Sequence, residues 1–248
     1  MRTVFLLSPA FCGGRRASIL LNTKSDAATA RDFRAGRLSL GQAFAFMSGL
    51  YFRGKLTYAE RFGESFVITP TRGLQPPSVP FTLRLLHEFA DGDISLDNRA
   101  YRRALERDVR ALARRVDDGL VVLLGSVASG KYVDVLLPIL GNRLRYPVSF
   151  IGRGDMSRGG LLLRSAASGV ELDYQALEAG VRPRGPRPPK LEPLVSLGHE
   201  GVVDPRRARG ILEPALRPTT GTAGAEGLGA VVDLRLRARP RVHRSRQS

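Results

Sequence analysis

Four short apolar runs, each closed by Gly or Pro and separated by stretches of helical period, constrain this chain more than any other feature. They are TVFLLS (Thr3–Ser8), SFVITP (Ser65–Pro70), LVVLLG (Leu120–Gly125) and YPVSFI (Tyr146–Ile151). A run without polar alternation reads as a strand buried on both faces. The stretches between them read as helices. Leu40–Phe62 repeats Phe44, Met47, Leu50, Tyr51, Tyr58 and Phe62, with breaks expected at Gly49 and Gly54. Asn98–Arg115 stripes Tyr101, Leu105, Val109 and Leu112 against Arg and Glu, and Val133–Leu140 and Gly159–Ala167 supply two more. Strands separated by helices pair in parallel. The expected fold is therefore α/β over residues 1–180: a three-layer, mostly parallel open sheet of the Rossmann-like kind.

In such a sheet the loops after the strands are neighbours, and the ligand crevice lies among them. Here each loop joins glycine to a cation. The first carries Gly13, Gly14, Arg15 and Arg16, and the second Thr71, Arg72 and Gly73. The third carries Gly125, Ser126, Ser129, Gly130, Lys131 and Tyr132, and the fourth Arg153, Asp155, Ser157 and Arg158 among four glycines. Glycine lets the backbone approach a ligand, free N–H groups at the next helix accept an anion, and Arg forks onto phosphate or carboxylate. These residues are the expected phosphate or ligand contacts.

Gly125, Gly130 and Lys131 also have the spacing of a nucleotide-binding phosphate loop. Tyr132 then stands where that loop needs a Ser or Thr hydroxyl on Mg²⁺, and no apolar strand ends in an acid to hold the ion. Triphosphate hydrolysis does not fit, and no metal or cofactor is expected. The histidines, His87, His199 and His243, and the single Cys12 form no cluster with ligand spacing.

Asp155, between two arginines, would stay ionised and is the candidate general base; capping the helix that follows is its structural alternative. Asp134 suits the first turn of a helix. Cys12 is either a thiolate nucleophile activated by Arg15 and Arg16 or a small buried thiol. Tyr51, Arg53, Lys55 and Tyr58 interleave rings and cations on one helix, the tyrosines suiting a core and Arg53 and Lys55 a phosphate.

The net charge is +16 from 39 Lys and Arg against 23 Asp and Glu, and residues 181–248 hold 14 of the bases and 6 of the acids. That segment is rich in Pro, Arg and Gly and is expected to be a disordered basic tail, a composition that GC-rich coding also produces. Polyanions are the natural partners. One cysteine and no apolar run near 20 residues suit a cytoplasmic protein with no membrane partner.

The blocks LLSPAFCGGRRA, FMSGLYFRGKLTYAERF, FVITPTRGL, LLGSVASGKYVDVLLPILG and FIGRGDMSRGGLLLR resemble the consecutive blocks of an uncharacterised bacterial α/β family, over about residues 3–165. More distantly, their order is similar to that of domains of unknown function near the bacterial peroxide-stress proteins and of folds used in nucleobase and nucleic-acid metabolism. The resemblance implies a nucleic-acid connection and names no activity. The expected partner is a phosphorylated small molecule or nucleotide, and the expected activity, if there is one, is transfer or hydrolysis at a nucleoside or sugar-phosphate bond. Non-enzymatic nucleic-acid binding, through the tail, is the alternative.

Overall fold

The computed structural model describes residues 3–191, which fall within the first of two compact units, Met1–Pro193. The expected tail beyond residue 191 lies outside the described residues. In chain order the elements are β1 (Thr3–Leu7), α1 (Arg15–Leu21), α2 (Ala28–Arg34), α3 (Leu40–Ser48), α4 (Leu50–Phe62), β2 (Glu64–Thr69), β3 (Gly73–Gln75), α5 (Leu83–Ala90), α6 (Arg99–Val116), β4 (Leu120–Leu124), α7 (Gly130–Leu140), β5 (Leu144–Pro147), α8 (Asp155–Ser168) and β6 (Tyr174–Ala176).

The six strands form one mixed sheet in the order β3-β2-β1-β4-β5-β6. The inner four are parallel, and the edge strands β3 and β6 are antiparallel to their neighbours. Successive residues point to opposite faces. Phe5, Leu7, Val67, Val122 and Leu124 therefore pack with α1, α3, α4, α5 and α8, while Val4, Leu6, Ile68, Val121 and Leu123 pack with α6 and α7. Covering both faces is what allows the central strands to be apolar throughout.

Local chemistry explains most boundaries. Ser39 and Gln42 close a capping box on α3, and Asn98 caps α6 through the N–H groups of Ala100 and Tyr101. Two expectations need correction, and two strands are added. The fourth strand is Leu144–Pro147, and the chain turns into a 3₁₀ turn at Val148–Phe150, because Pro147 cannot donate to a continuing ladder. Gly49 does separate α3 from α4, but Gly54 lies inside an unbroken α4 and serves contact with α8. The three-residue edges β3 and β6 carry no apolar run and are legible only through their pairing.

The chain leaves β1 toward β2 on one side and leaves β4 toward β5 on the other. The point of divergence is thus the gap between the carboxyl ends of β1 and β4, where an open α/β sheet leaves a crevice. Residues 181–191 have no regular structure, but Arg182 pairs with Asp134 of α7 and the Pro189 carbonyl accepts from Arg153 at 3.3 Å. Gly152, at φ 71°, leaves room for the Pro186 carbonyl against its α-carbon.

Candidate functional site

At that divergence Ser8 directly follows β1. Its N–H donates to the Leu124 carbonyl at 3.3 Å, and its hydroxyl donates to the same carbonyl at a long 3.4 Å. Gly125 faces it. A β-carbon there would lie 3.0 Å from Ser8 Cβ and 3.3 Å from Oγ, so the first glycine of the phosphate-loop spacing leaves Ser8 uncrowded. Gly130 likewise leaves space for the Asp134 carboxylate, which sits over the first turn of α7 where the helix dipole favours an anion. Ser129 precedes α7 with its hydroxyl buried and unpartnered.

α4 brings the central group. Lys55 is 1 % exposed, and its amine donates to the Ser8 carbonyl at 2.6 Å and to Ser8 Oγ at 2.9 Å. The Tyr51 and Phe52 rings lie 4.5 and 4.7 Å from the nitrogen. Burial pulls the amine down to about 7, with Asp155 acting against the shift and Arg158 adding to it. A large fraction is therefore neutral near pH 7.

α8 closes the other side by a backbone-to-backbone crossing at Gly54 and Gly159. The Arg158 guanidinium donates to the Phe150 carbonyl through Nε and Nη2, at 3.2 and 3.1 Å, and stacks 5.2 Å over the Phe150 ring. Its Nη1 is 3.9 Å from Asp155, whose side chain is 71 % exposed. Asp155 is the first residue of α8, with Gly154 in the capping position. The Tyr51 hydroxyl is buried without a partner of hydrogen-bond geometry, and burial pushes it up to about 12 against the pull of nearby Arg158. The Ser149 hydroxyl is also buried and unpartnered. Beside α8, a cavity of about 520 Å³ is lined by Arg153, Asp155 and Ser157 on one wall and Arg187, Pro188 and Lys190 on the other.

The four expected loops do lie at one edge of the sheet, since their strands are parallel, but not all of them face the gap. Arg72 grips Glu88 of α5 through Nε at 2.8 Å and Nη2 at 2.6 Å, and the Thr71 hydroxyl donates to the same carboxylate. Gly73, at φ 61°, packs on α6. In the first loop Arg16 donates to the Phe46 carbonyl at 3.1 Å, Arg15 is exposed, and Gly13 and Gly14 lie against the Phe11 ring. Cys12 is buried with its thiol pushed up to about 12, the buried-thiol reading. In the third loop Ser126 is half-buried, Lys131 reaches over the Tyr132 ring at 5.2 Å, and Tyr132 itself is in the core at 3 % exposure. In the fourth, Arg153 is held by the Ser149 carbonyl and the Ser157 hydroxyl.

Ser8, Tyr51 and the burial of Lys55 escaped the reading of the loops. One signal was there: Lys55 occupies the helical stripe between Tyr51 and Tyr58, where an apolar residue is the norm. Among the described residues no three His, Cys, Asp or Glu gather to hold a metal, and no helix is long and apolar enough to cross a membrane. No family model, curated protein or solved structure matches the chain.

Proposed function

We propose that the protein binds a phosphate-bearing small molecule or nucleotide at the carboxyl ends of β1 and β4 and carries out transfer or hydrolysis at a nucleoside or sugar-phosphate bond. One observation carries the reading: buried, unpartnered hydroxyls at the edge of the gap, Tyr51 beside Arg158 and Ser129 beside Lys131. A buried polar atom without a partner costs roughly 1–3 kcal/mol. An anion that accepts from both hydroxyls would relieve that cost while Arg158 and Lys131 neutralise it. Asp155, exposed at the start of α8, is the acid–base group on the solvent side. The loops beyond β2 contribute little, since Glu88 already satisfies Arg72.

The test is a thermal-shift screen of the full chain against inorganic phosphate, nucleotides and sugar phosphates. A ligand at 100 times its Kd should stabilise the fold by about 2.7 kcal/mol. No stabilisation by any phosphate-bearing compound would end the reading.

A second reading, nucleic-acid binding, is supported by α6. Arg99, Arg103, Arg110 and Arg114 are exposed and carry no ion pair among the described residues, whereas Arg102, Arg107 and Arg115 are paired with acids. At 100° per residue the four fall within about 60° of one another along some 22 Å of helix, a row suited to a phosphate backbone.

A further inference from the structure

We infer that Ser8 and Lys55 are a nucleophile and its general base, acting on the phosphoryl group of a phosphoester seated in the gap between β1 and β4. The inference rests on the proposed function only for where the substrate's anion lies.

A serine hydroxyl attacks poorly unless a base stands within hydrogen-bond reach, and Lys55 Nζ is 2.9 Å from Ser8 Oγ. In this structure the amine donates to Oγ and the hydroxyl donates to the Leu124 carbonyl at a long 3.4 Å, so the neutral amine accepts the proton once the hydroxyl turns from that carbonyl. The amine's second bond, 2.6 Å to the Ser8 carbonyl, fixes Nζ on the residue it must deprotonate. A lysine serves as a base only when neutral. The burial that achieves this comes from the Tyr51 and Phe52 rings on its own helix and from the close approach of α8. The charged groups facing it are Asp155 and Arg158 of α8, and no carboxylate reaches it as an ion pair among the described residues.

Position assigns the two roles. Ser8 is 7 % exposed and lies at the end of a central strand, against a glycine, whereas Lys55 is 1 % exposed beneath it. The hydroxyl therefore meets the substrate and the amine does not, which argues against an imine-forming lysine. Arg158 is the arginine whose charge acts on Lys55, and its guanidinium suits the phosphoryl oxygens.

In the first half-reaction Ser8 Oγ attacks phosphorus and its proton passes to Lys55. The new O–P bond forms, the P–O bond to the leaving group on the far side of phosphorus breaks, and the departing oxygen takes its proton from solvent while Lys55 keeps the serine's proton. In the second, water attacks the phosphoserine from that open side, Asp155 takes the water's proton, and Lys55 returns its proton to Ser8 Oγ as the serine leaves. An alcohol in place of water gives transfer instead of hydrolysis.

A fluorophosphonate, which phosphonylates activated serines, tests the pair on the full chain by peptide mass mapping between pH 5.5 and 9. The expected result is one adduct on Ser8, absent in Ser8→Ala. Its rate should climb about tenfold per pH unit up to pH 7 and then level off. Lys55→Met should slow it by about 100-fold or more, the usual scale of a lost general base. An unlabelled Ser8, an adduct on Lys55, or an undiminished rate in folded Lys55→Met would overturn the inference. Should Lys55→Met fail to fold, the wild-type profile decides, because a flat rate or a midpoint near pH 10 overturns it equally. Phosphate binding without Ser8 labelling sinks the pair and spares the proposed function; labelling without phosphate binding does the reverse.

Discussion

Gly54 of α4 and Gly159 of α8 touch backbone to backbone: a β-carbon on Gly54 would lie 2.6 Å from the Gly159 carbonyl oxygen, and one on Gly159 would lie 2.7 Å from the Leu50 carbonyl oxygen. Two helices this close carry Tyr51 and Lys55 from one side, and Asp155 and Arg158 from the other, to the end of β1. Neither glycine is needed for a positive φ. Both are needed for approach. Gly159→Ala should therefore cost about 1–3 kcal/mol by overpacking, against the small gain in helix propensity that Ala otherwise brings. Urea unfolding reads the cost, and an unchanged or raised midpoint would show that the crossing is loose.

Lys55 should give the fold a pH signature. The unfolded chain protonates this amine below 10.5 and the folded chain only below about 7, so between these values the unfolded state binds the extra proton. Stability should rise with pH by up to about 1.4 kcal/mol per unit above pH 7. The rise should stop near pH 9, because Cys12, held protonated to about 12 from an ordinary 9.0, then favours the unfolded state. Lys55→Met should remove the rise. Chemical denaturation at half-unit steps of pH compares the two proteins, and parallel curves would refute the expectation.

Arg72 should behave as a structural cation. Its hydrogen bonds hold Glu88 down to about 2, so the pair supports the fold above pH 4.5 and fades as the pH falls from there toward 2. Arg72→Ala should shift acid unfolding to higher pH, with less than about 1 kcal/mol lost at pH 7 because the pair is partly exposed and screened by water. Phosphate affinity should stay within a factor of about three of the wild type, well short of the loss of a charge-assisted bond. A tenfold loss, measured by calorimetry, would return Arg72 to the ligand site.

Arg158→Gln and Lys131→Ala should each weaken one and the same phosphate-bearing ligand by about tenfold or more, the scale of one lost charge-assisted hydrogen bond. Mg²⁺ should add little, since Tyr132 is buried where a phosphate loop needs its metal hydroxyl. Calorimetric titrations with and without EDTA settle both points, and normal affinity in both variants would dissolve the shared site.

The arginine row on α6 has its own measure. If it binds duplex DNA, changing Arg99, Arg103, Arg110 and Arg114 to Gln should lower the slope of log K against log salt by about 0.9 for each DNA phosphate that is no longer neutralised. An unaltered slope would place nucleic-acid affinity elsewhere in the chain.

The buried runs of β1, β2 and β4 and the stripe of α6 were determined by the sequence alone. Each rests on a pattern within one element: consecutive apolar residues or helical spacing. The parallel pairing of the inner strands, and hence the shared edge for the four loops, was also legible, because the intervening helical stretches force crossovers. Tertiary structure decided the chemistry. Arg15, Arg16, Arg72, Arg153 and Arg158 look alike in their loops, yet Arg72 closes on Glu88, 16 residues away, while Arg158 comes near a lysine more than 100 positions earlier. A cation's role depends on which groups the fold brings within a few ångströms, and those neighbours are distant in sequence. The same holds for Lys55: its sequence neighbours give it a place on a helix, but only the end of β1 and the glycine crossing with α8 strip it of water and set it against Ser8.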